Sequence, residues 1–160
     1  MRAVKSEAWY KSTLAYVQKR HHGKTDKLGW PYYQHFERVA DRLIRLFPEA
    51  SQAQVQAALL HDALEPGESS IEELQSAGID PEAIAIIKRI SLPQDGRSYL
   101  EYVKDLVNTR DVAAVQVKLA DNLDAVEFYS TRTDSSSKHL LDTRYEPSRK
   151  MLQEGLSIGR

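Results

Sequence analysis

The sequence contains no cysteine, and this absence removes several kinds of chemistry together. Disulfide bonds, thiolate metal sites and cysteine nucleophiles all need a side chain that the chain does not have. Histidine, aspartate and glutamate therefore remain as the side chains able to hold a metal ion. The chain carries 5 histidines and 23 acidic residues from which such a site can be built.

Neither sign of charge is in excess, because 22 basic and 23 acidic residues leave a formal net charge of −1. This balance lacks the basic excess that is typical of proteins with nucleic acid as a standing partner. Long hydrophobic runs are also missing, and the charged N-terminus is unlike a signal peptide. We therefore expect no standing nucleic-acid partner and no membrane association, with the cytoplasm as the default location. The pattern does not indicate an oligomeric state.

The apolar residues of the chain recur with the period of a helix. One stripe shows this spacing clearly: Phe36, Val39, Ala40, Leu43, Ile44 and Phe47. No alternating segment indicates a sheet, so we predict an all-α fold. The predicted helices lie at 6–21, 33–47, 52–65, 71–77, 81–90, 98–108, 111–130 and 138–154. A length of 160 residues fits one domain, with a core at about 8–130 and a C-terminal packing helix at about 138–154.

Local capping signals mark the starts of three of these helices. Ser51 stands three residues before Gln54, and Ser70 three residues before Glu73, which is the spacing of a capping box. At the third start, an aspartate at position 80 precedes a first-turn proline.

A carboxylate stands in the most apolar of the predicted helices. Asp121 is flanked by Val117 and Ala120 in the helix at 111–130, which we expect to be central and largely buried. A buried carboxylate is costly unless a cation or several donors compensate its charge. A bound metal ion would do so, and the alternative is an ion pair with Lys118 three residues earlier.

Three further polar residues interrupt apolar stretches in the same way. His61 and Asp62 follow an apolar run, and His35 begins the apolar stripe of helix 33–47, in phase with Val39. A lone histidine at such a position is more often structural than a ligand. Together with Asp121, however, these residues supply two imidazoles and two carboxylates from three helices. That donor set suits Mn²⁺, Fe²⁺ or Zn²⁺.

Glu65 lies one turn after His61 and Asp62 on the predicted helix 52–65, and therefore on the same face. In that place its carboxylate could orient or deprotonate a water molecule bound to the metal. The alternative is a solvated surface acid. Three other histidines have no spaced partner, and we expect them at the surface: His21, His22 and His139.

Several segments together resemble a known family. His35, the string AALLHDALE at 57–65 and VKLAD at 117–121 resemble HD-domain phosphohydrolases, whose ligand set is His…His-Asp…Asp. HGKTDKLGWPYYQH at 22–35 and DGRSYLEYV at 95–103 are similar to the RelA/SpoT-type hydrolase domains and their small stand-alone relatives. Those enzymes hydrolyse (p)ppGpp and typically use Mn²⁺. The resemblance covers roughly residues 8–130.

The resemblance implies a single compact HD-domain helical bundle with metal ligands His35, His61, Asp62 and Asp121. It implies one divalent ion, with Mn²⁺ first and Fe²⁺ or Zn²⁺ as alternatives. The expected activity is that of a metal-dependent phosphohydrolase that cleaves a phosphoester or diphosphate bond of a small nucleotide, resembling guanosine-3′,5′-bis(diphosphate) 3′-pyrophosphohydrolase. Two lysines are expected to contact the substrate phosphates: Lys27, through its match to the family loop, and Lys118.

The chain departs from the RelA/SpoT pattern at four places. Asp26 stands where the family commonly has an arginine that helps to hold the guanine base. Pro66 replaces the second acid associated with water activation, and Ala125 and Phe128 replace an asparagine and a threonine. Two alternatives therefore stay open: a hydrolase for another nucleotide, and a sensor module that binds metal or nucleotide but turns over slowly.

Overall fold

The structure is a computed structural model, and it describes residues 3–26, 28–65 and 67–158. Lys27 and Pro66 lie outside the described residues. Among the described residues there is no β-strand, and Thr25 and Pro31 form an isolated antiparallel bridge. The prediction of an all-α fold is therefore confirmed.

The helices follow one another along the chain with short connections. Their bounds are α1 Ala8–Arg20, α2 Tyr33–Leu46, α3 Gln52–Leu59, α4 Ile71–Ser76, α5 Pro81–Ile90, α6 Tyr99–Asn108, α7 Val112–Ser130, α8 Ser135–Leu140 and α9 Glu146–Ile158. A 3₁₀ turn at Val4–Ser6 precedes α1, and a π-helical turn at Leu141–Tyr145 joins α8 to α9. No described helix has the length and apolarity needed to cross a membrane.

The predicted helix starts agree with the observed caps. Ser51 and Ser70 each form a complete capping box at the starts of α3 and α4, and the Asp80 carboxylate accepts a hydrogen bond from the backbone N–H of Glu82 at the start of α5. A further capping box at Ser98 begins α6.

Helix α7 occupies the centre of the bundle, as its apolar composition predicts. It packs against α2, α3, α5 and α9, and α3 lies between α2 and α5. The side chains of Val55, Ala58 and Leu59 on α3 and Val117 on α7 are completely buried. Polar side chains on the buried faces of these helices, such as those of Gln56 and Asn122, therefore face other protein groups.

The C-terminal region is helical over a longer stretch than predicted. The predicted helix at 138–154 corresponds to α8, the π-helical turn and α9, so that helical backbone runs from Ser135 to Ile158. Leu152 on α9 is completely buried, and the Asn122 amide on α7 donates hydrogen bonds to the Ser148 hydroxyl at 2.7 Å and the Tyr145 carbonyl at 3.2 Å. The last helix is thus attached to the central one.

The prediction of a helix over 52–65 was wrong at its C-terminal end, because α3 ends at Leu59. His61, Asp62 and Glu65 lie in the turns that follow. The His61 Nδ1 atom lies 2.9 Å from the Ala58 carbonyl, one of the carbonyls left without a partner in the last helical turn. A side chain thus replaces the backbone partner that a continuing helix would have supplied.

Candidate metal centre

Four predicted ligands converge where α2, the turn after α3, and α7 meet. The Nε2 atoms of His35 and His61 lie 3.0 Å apart, and the Asp62 Oδ1 atom lies 3.5 Å from the His61 Nε2 atom. One ligand atom from each of these three residues lies within 4.8 Å of the others. The Asp121 Oδ1 atom lies 3.3 Å from the His61 Nε2 atom and 3.9 Å from the His35 Nε2 atom.

These separations match those of ligands around a single ion. Two donor atoms bound about 2.1 Å from one metal ion, at angles of roughly 90–110°, lie roughly 3.0–3.4 Å apart. Three of the four measured separations lie within 0.1 Å of that range, and the His35–Asp121 separation of 3.9 Å corresponds to a wider angle. His35, His61 and Asp62 can therefore share one divalent ion, and Asp121, which lies outside this mutually close group of three, approaches it from the side of the two imidazoles.

The hydrogen bonds of the two imidazoles leave their Nε2 atoms available. A carbonyl can only accept a hydrogen bond, so the His61 Nδ1–H donates to the Ala58 carbonyl. An ionised carboxylate also only accepts, so the His35 Nδ1–H donates to Asp124 at 2.8 Å. When both rings are neutral, each Nε2 atom carries a lone pair that faces the other at 3.0 Å, and either a shared proton or a metal ion between them offsets their repulsion. The arrangement therefore leaves two imidazole nitrogens available to one cation.

The charges around the histidines act in the same direction. Burial lowers the pKa of His35, but the hydrogen bond with Asp124 and the charge of Asp121 outweigh burial and raise that pKa above its ordinary value. Burial raises the pKa of Asp121, but His61, Lys118 and His35 outweigh burial and lower it. Asp121 is therefore held in its ionised form beside the two imidazoles.

The two carboxylate ligands also have partners of their own. The Tyr32 hydroxyl donates to the Asp62 Oδ2 atom at 3.3 Å, and the Lys118 ammonium donates to the Asp121 Oδ2 atom at 3.4 Å. In each carboxylate these bonds use the second oxygen and leave the Oδ1 atom facing the imidazoles. Such outer partners fix the orientation of metal ligands.

Lys118 is buried between the centre and α5. Its ammonium group donates to the Ile90 carbonyl at 3.3 Å and lies over the rings of Tyr99 and Tyr102. Burial lowers the pKa of Lys118, but the facing Tyr99 and Asp121 outweigh burial, so that the pKa is raised. The i, i+3 ion pair with Asp121, which the sequence offered as the alternative to a bound ion, is thus present, and the lysine also lines the cavity beside the centre.

Asp124 was not identified from the sequence, although it lies one helical turn after Asp121. Its carboxylate accepts hydrogen bonds from His35 and from the Arg38 Nε atom at 3.2 Å, and the Arg42 guanidinium lies 3.8 Å away. Burial raises the pKa of Asp124, but His35 and Arg38 outweigh burial and lower it. The i, i+3 spacing from Asp121 is the sequence signal that could have indicated this residue.

A cavity of about 490 Å³ opens beside the four ligands. Part of its wall is aromatic, since Tyr99, Phe128, Tyr129 and Tyr145 all line it. The rings of Tyr129 and Tyr145 are stacked, with centroids 5.1 Å apart and planes inclined by 11°, and the Tyr99 ring meets Tyr145 edge-on at 5.9 Å. The candidate metal centre and a group of aromatic rings thus share one cavity.

Glu65 lies close to the centre but is not among the residues that line this cavity. The helical argument for its position fails because α3 ends before it, although its backbone N–H still bonds to the Asp62 carbonyl at 3.1 Å. Burial and the charge of Asp62 raise the pKa of Glu65.

The surface prediction for His21 was wrong, because this side chain is buried. Its ring stacks on Phe36 with centroids 4.9 Å apart and meets the Tyr32 ring edge-on at 5.2 Å. The neighbouring His22 and the distant His139 are exposed, as expected. His21 therefore supports the aromatic rings behind the centre.

Comparison with known proteins identifies a family and a solved structure with a similar fold. Residues 13–145 match the family model of the HD domain. No curated protein sequence matches the chain. Among solved structures, the chain is similar to a metazoan orthologue of SpoT, described as hydrolysing ppGpp and playing a role in starvation responses. That comparison has a TM-score of 0.75 and 21% sequence identity, and it covers 94% of this chain and 86% of the other.

Proposed function

Because this chain belongs to the HD domain family and is a metal-dependent phosphohydrolase, we propose that it cleaves a phosphoester or diphosphate bond of a small nucleotide. The observation that carries the proposal is the shared cavity, in which four converging ligand atoms lie beside a wall of aromatic rings. The ligands would face the phosphates, and the rings would face the base. Bases stack readily on aromatic side chains.

We propose that His35, His61, Asp62 and Asp121 hold one divalent ion, with Mn²⁺ first and Fe²⁺ or Zn²⁺ as alternatives. Two imidazole nitrogens and two carboxylate oxygens suit ions of this borderline class. When bound, such an ion polarises a phosphoryl oxygen and makes water a stronger nucleophile. The converging Nε2 atoms of the two histidines support a single-ion centre.

The residues around the ligands would complete the chemistry. Lys118 places a buried positive charge beside Asp121 at the cavity wall, where it offsets the negative charge of an arriving phosphate. Glu65, with its pKa raised by burial, would accept the proton from the attacking water. Lys27 is proposed as a second phosphate contact from its match to the family loop.

For the substrate, we propose a phosphorylated nucleotide of the kind hydrolysed by guanosine-3′,5′-bis(diphosphate) 3′-pyrophosphohydrolase, with other nucleotides as the alternative. The metazoan SpoT orthologue with the similar fold is described as hydrolysing ppGpp. Asp26, however, leaves this chain without an arginine at the position that helps the family to hold guanine. The stacked Tyr129 and Tyr145 rings can receive any base.

A sensor that binds a nucleotide but hydrolyses it slowly is the second candidate. It is favoured by one observation, namely that Glu65 does not line the cavity that holds the ligands. A carboxylate that cannot reach the attacking water would leave binding intact and slow the chemical step.

A panel of nucleotides with 5′ or 3′ mono- and diphosphates on each base, ppGpp included, tests the proposal. We expect Mn²⁺-dependent release of phosphate or pyrophosphate from at least one of them, and we expect Asp121→Asn to abolish it. Tight binding of a nucleotide without release would favour the sensor. If no nucleotide of the panel is bound and none is hydrolysed, the proposal of a nucleotide substrate is overturned.

A further inference from the structure

Asp124 connects a metal ligand to two arginines. Its Oδ2 atom accepts the Nδ1–H of His35 at 2.8 Å and lies 3.4 Å from the Arg38 Nη2 atom. Its Oδ1 atom accepts from the Arg38 Nε atom at 3.2 Å, with the Arg42 guanidinium 3.8 Å away. The Asp124 side chain is only 7% exposed, so this carboxylate faces the three cationic or donor groups and little water.

The choice of tautomer at His35 decides whether it can bind an ion. An imidazole with its proton on Nδ1 offers the Nε2 lone pair to the centre, whereas the other tautomer points a hydrogen at the ion. An ionised carboxylate at Nδ1 selects the first tautomer and fixes the plane of the ring. Carboxylates in this position raise the basicity of a ligating histidine and orient it.

We propose that Asp124 is a positioning residue that holds His35 in the tautomer and orientation needed to bind a divalent ion. Arg38 and Arg42 keep the Asp124 carboxylate in place and offset the cost of its burial. The inference concerns the binding of the ion, and it stands whichever phosphorylated compound is hydrolysed.

A purely structural role for Asp124 would have a different signature. Arg38 and Arg42 lie on α2 and Asp124 lies on α7, so the same ion pairs also attach these two helices. If attachment were the whole role, loss of the carboxylate would lower the stability of the metal-free protein. The affinity for the ion and the tautomer of His35 would then stay unchanged.

The test compares Asp124→Asn and Asp124→Leu with a matched control, Asp105→Asn. Asp105 is an exposed carboxylate on α6 that pairs with Arg97 at 3.0 Å and does not line the cavity. Binding of Mn²⁺ alone is measured by calorimetry on the full chain. We expect the Asp124 variants to bind Mn²⁺ about 10- to 100-fold more weakly, as is typical when an outer partner of a metal ligand is removed. Asp105→Asn should bind as tightly as the unchanged protein.

Long-range ¹H–¹⁵N spectra of the metal-free protein at pH 8 report the tautomer directly. We expect the His35 proton on Nδ1 in the unchanged protein and a mixture of tautomers in Asp124→Leu. Asp124→Asn keeps an acceptor oxygen for the His35 Nδ1–H and reports the contribution of the charge. If Asp124→Leu does not fold, Asp124→Ala, which also removes the acceptor, decides the outcome. Unchanged Mn²⁺ affinity in a folded Asp124→Leu or Asp124→Ala variant would overturn the inference but leave the proposed centre standing. Failure of the unchanged protein to bind Mn²⁺ would overturn both the inference and the proposed centre.

Discussion

The Nε2 atoms of His35 and His61 face each other at 3.0 Å, although the two residues are 26 positions apart in the chain. One histidine comes from the first turn of α2 and the other from the turn after α3. Each ring is held by a hydrogen bond of its Nδ1 atom, which for His35 goes to Asp124 and for His61 to the Ala58 carbonyl. The packing of α2 against α3 therefore sets the distance between two candidate metal ligands.

Removal of a ligand should abolish binding of the ion. We expect the unchanged protein to bind about one divalent ion per chain, and His61→Ala and Asp121→Ala to lose it, because an open centre with four protein ligands cannot spare one. Elemental analysis after dialysis measures the content. His139→Ala changes an exposed histidine and should keep the ion. Full metal content in both ligand variants would contradict the assignment of the centre.

Glu65→Gln separates binding from chemistry. The substitution removes a proton acceptor close to the centre without removing a ligand, so Mn²⁺ affinity should stay nearly the same. Turnover should fall by about 10²- to 10⁴-fold, the usual contribution of general-base assistance. The control is Glu72→Gln at an exposed position on α4, which should leave turnover unchanged. A fall of less than about tenfold would remove Glu65 from the mechanism.

Base selectivity should be weaker than in enzymes that hold guanine with an arginine. The Asp26 carboxylate accepts the backbone N–H groups of Leu28 at 2.8 Å and Trp30 at 3.0 Å, so it serves to shape its own loop. A planar cation over a base would contribute about 0.5–2 kcal/mol, which is roughly a 2- to 30-fold preference. We expect kcat/KM for matched guanine and adenine nucleotides to differ by less than the upper end of that range, roughly 30-fold. A strong preference for guanine would refute the expectation.

The affinity for nucleotides should depend on the aromatic rings that line the cavity. Stacking of a base on an aromatic side chain contributes about 1–3 kcal/mol, so Tyr145→Ala should weaken nucleotide binding by roughly 5- to 150-fold. Tyr145→Phe keeps the ring that stacks on Tyr129 and should bind nearly as well. Mn²⁺ affinity serves as a check that the centre is intact. Equal nucleotide affinity in the Ala and Phe variants would argue against stacking at this wall.

The last helix should contribute to the stability of the core. Leu152→Ala removes a completely buried side chain on α9, and substitutions of this kind lower the free energy of unfolding by about 2–5 kcal/mol. Val112→Ala alters a side chain that is 46% exposed at the start of α7 and should cost much less. Urea unfolding of the metal-free protein measures both. Similar small losses in the two variants would show that α9 can detach without disturbing the core.

The helices and a set of four candidate ligands could be predicted from the sequence, because both predictions depend on local patterns. The apolar period of 36–47 fixes the buried face of α2, and Ser51 and Ser70 mark helix starts through bonds to residues only three positions away. Polar residues in apolar runs, such as Asp121, stand out in the same way. The order of His35, His61, Asp62 and Asp121 along the chain then gave the family.

Other features depend on groups that are distant in the sequence, and only the tertiary structure decided them. Local propensity favours a helix that continues past Leu59. In the structure α3 ends at Leu59, and turns bring His61 and Asp62 towards α2 and α7. His21 is buried because the rings of Tyr32 and Phe36 fold over it. Asp124 became a partner of His35 through a contact across 89 positions, which no local period encodes. The sequence by itself determined which side chains can bind an ion, and helix packing determined which groups hold them in place, because distance and orientation arise only when separate helices meet.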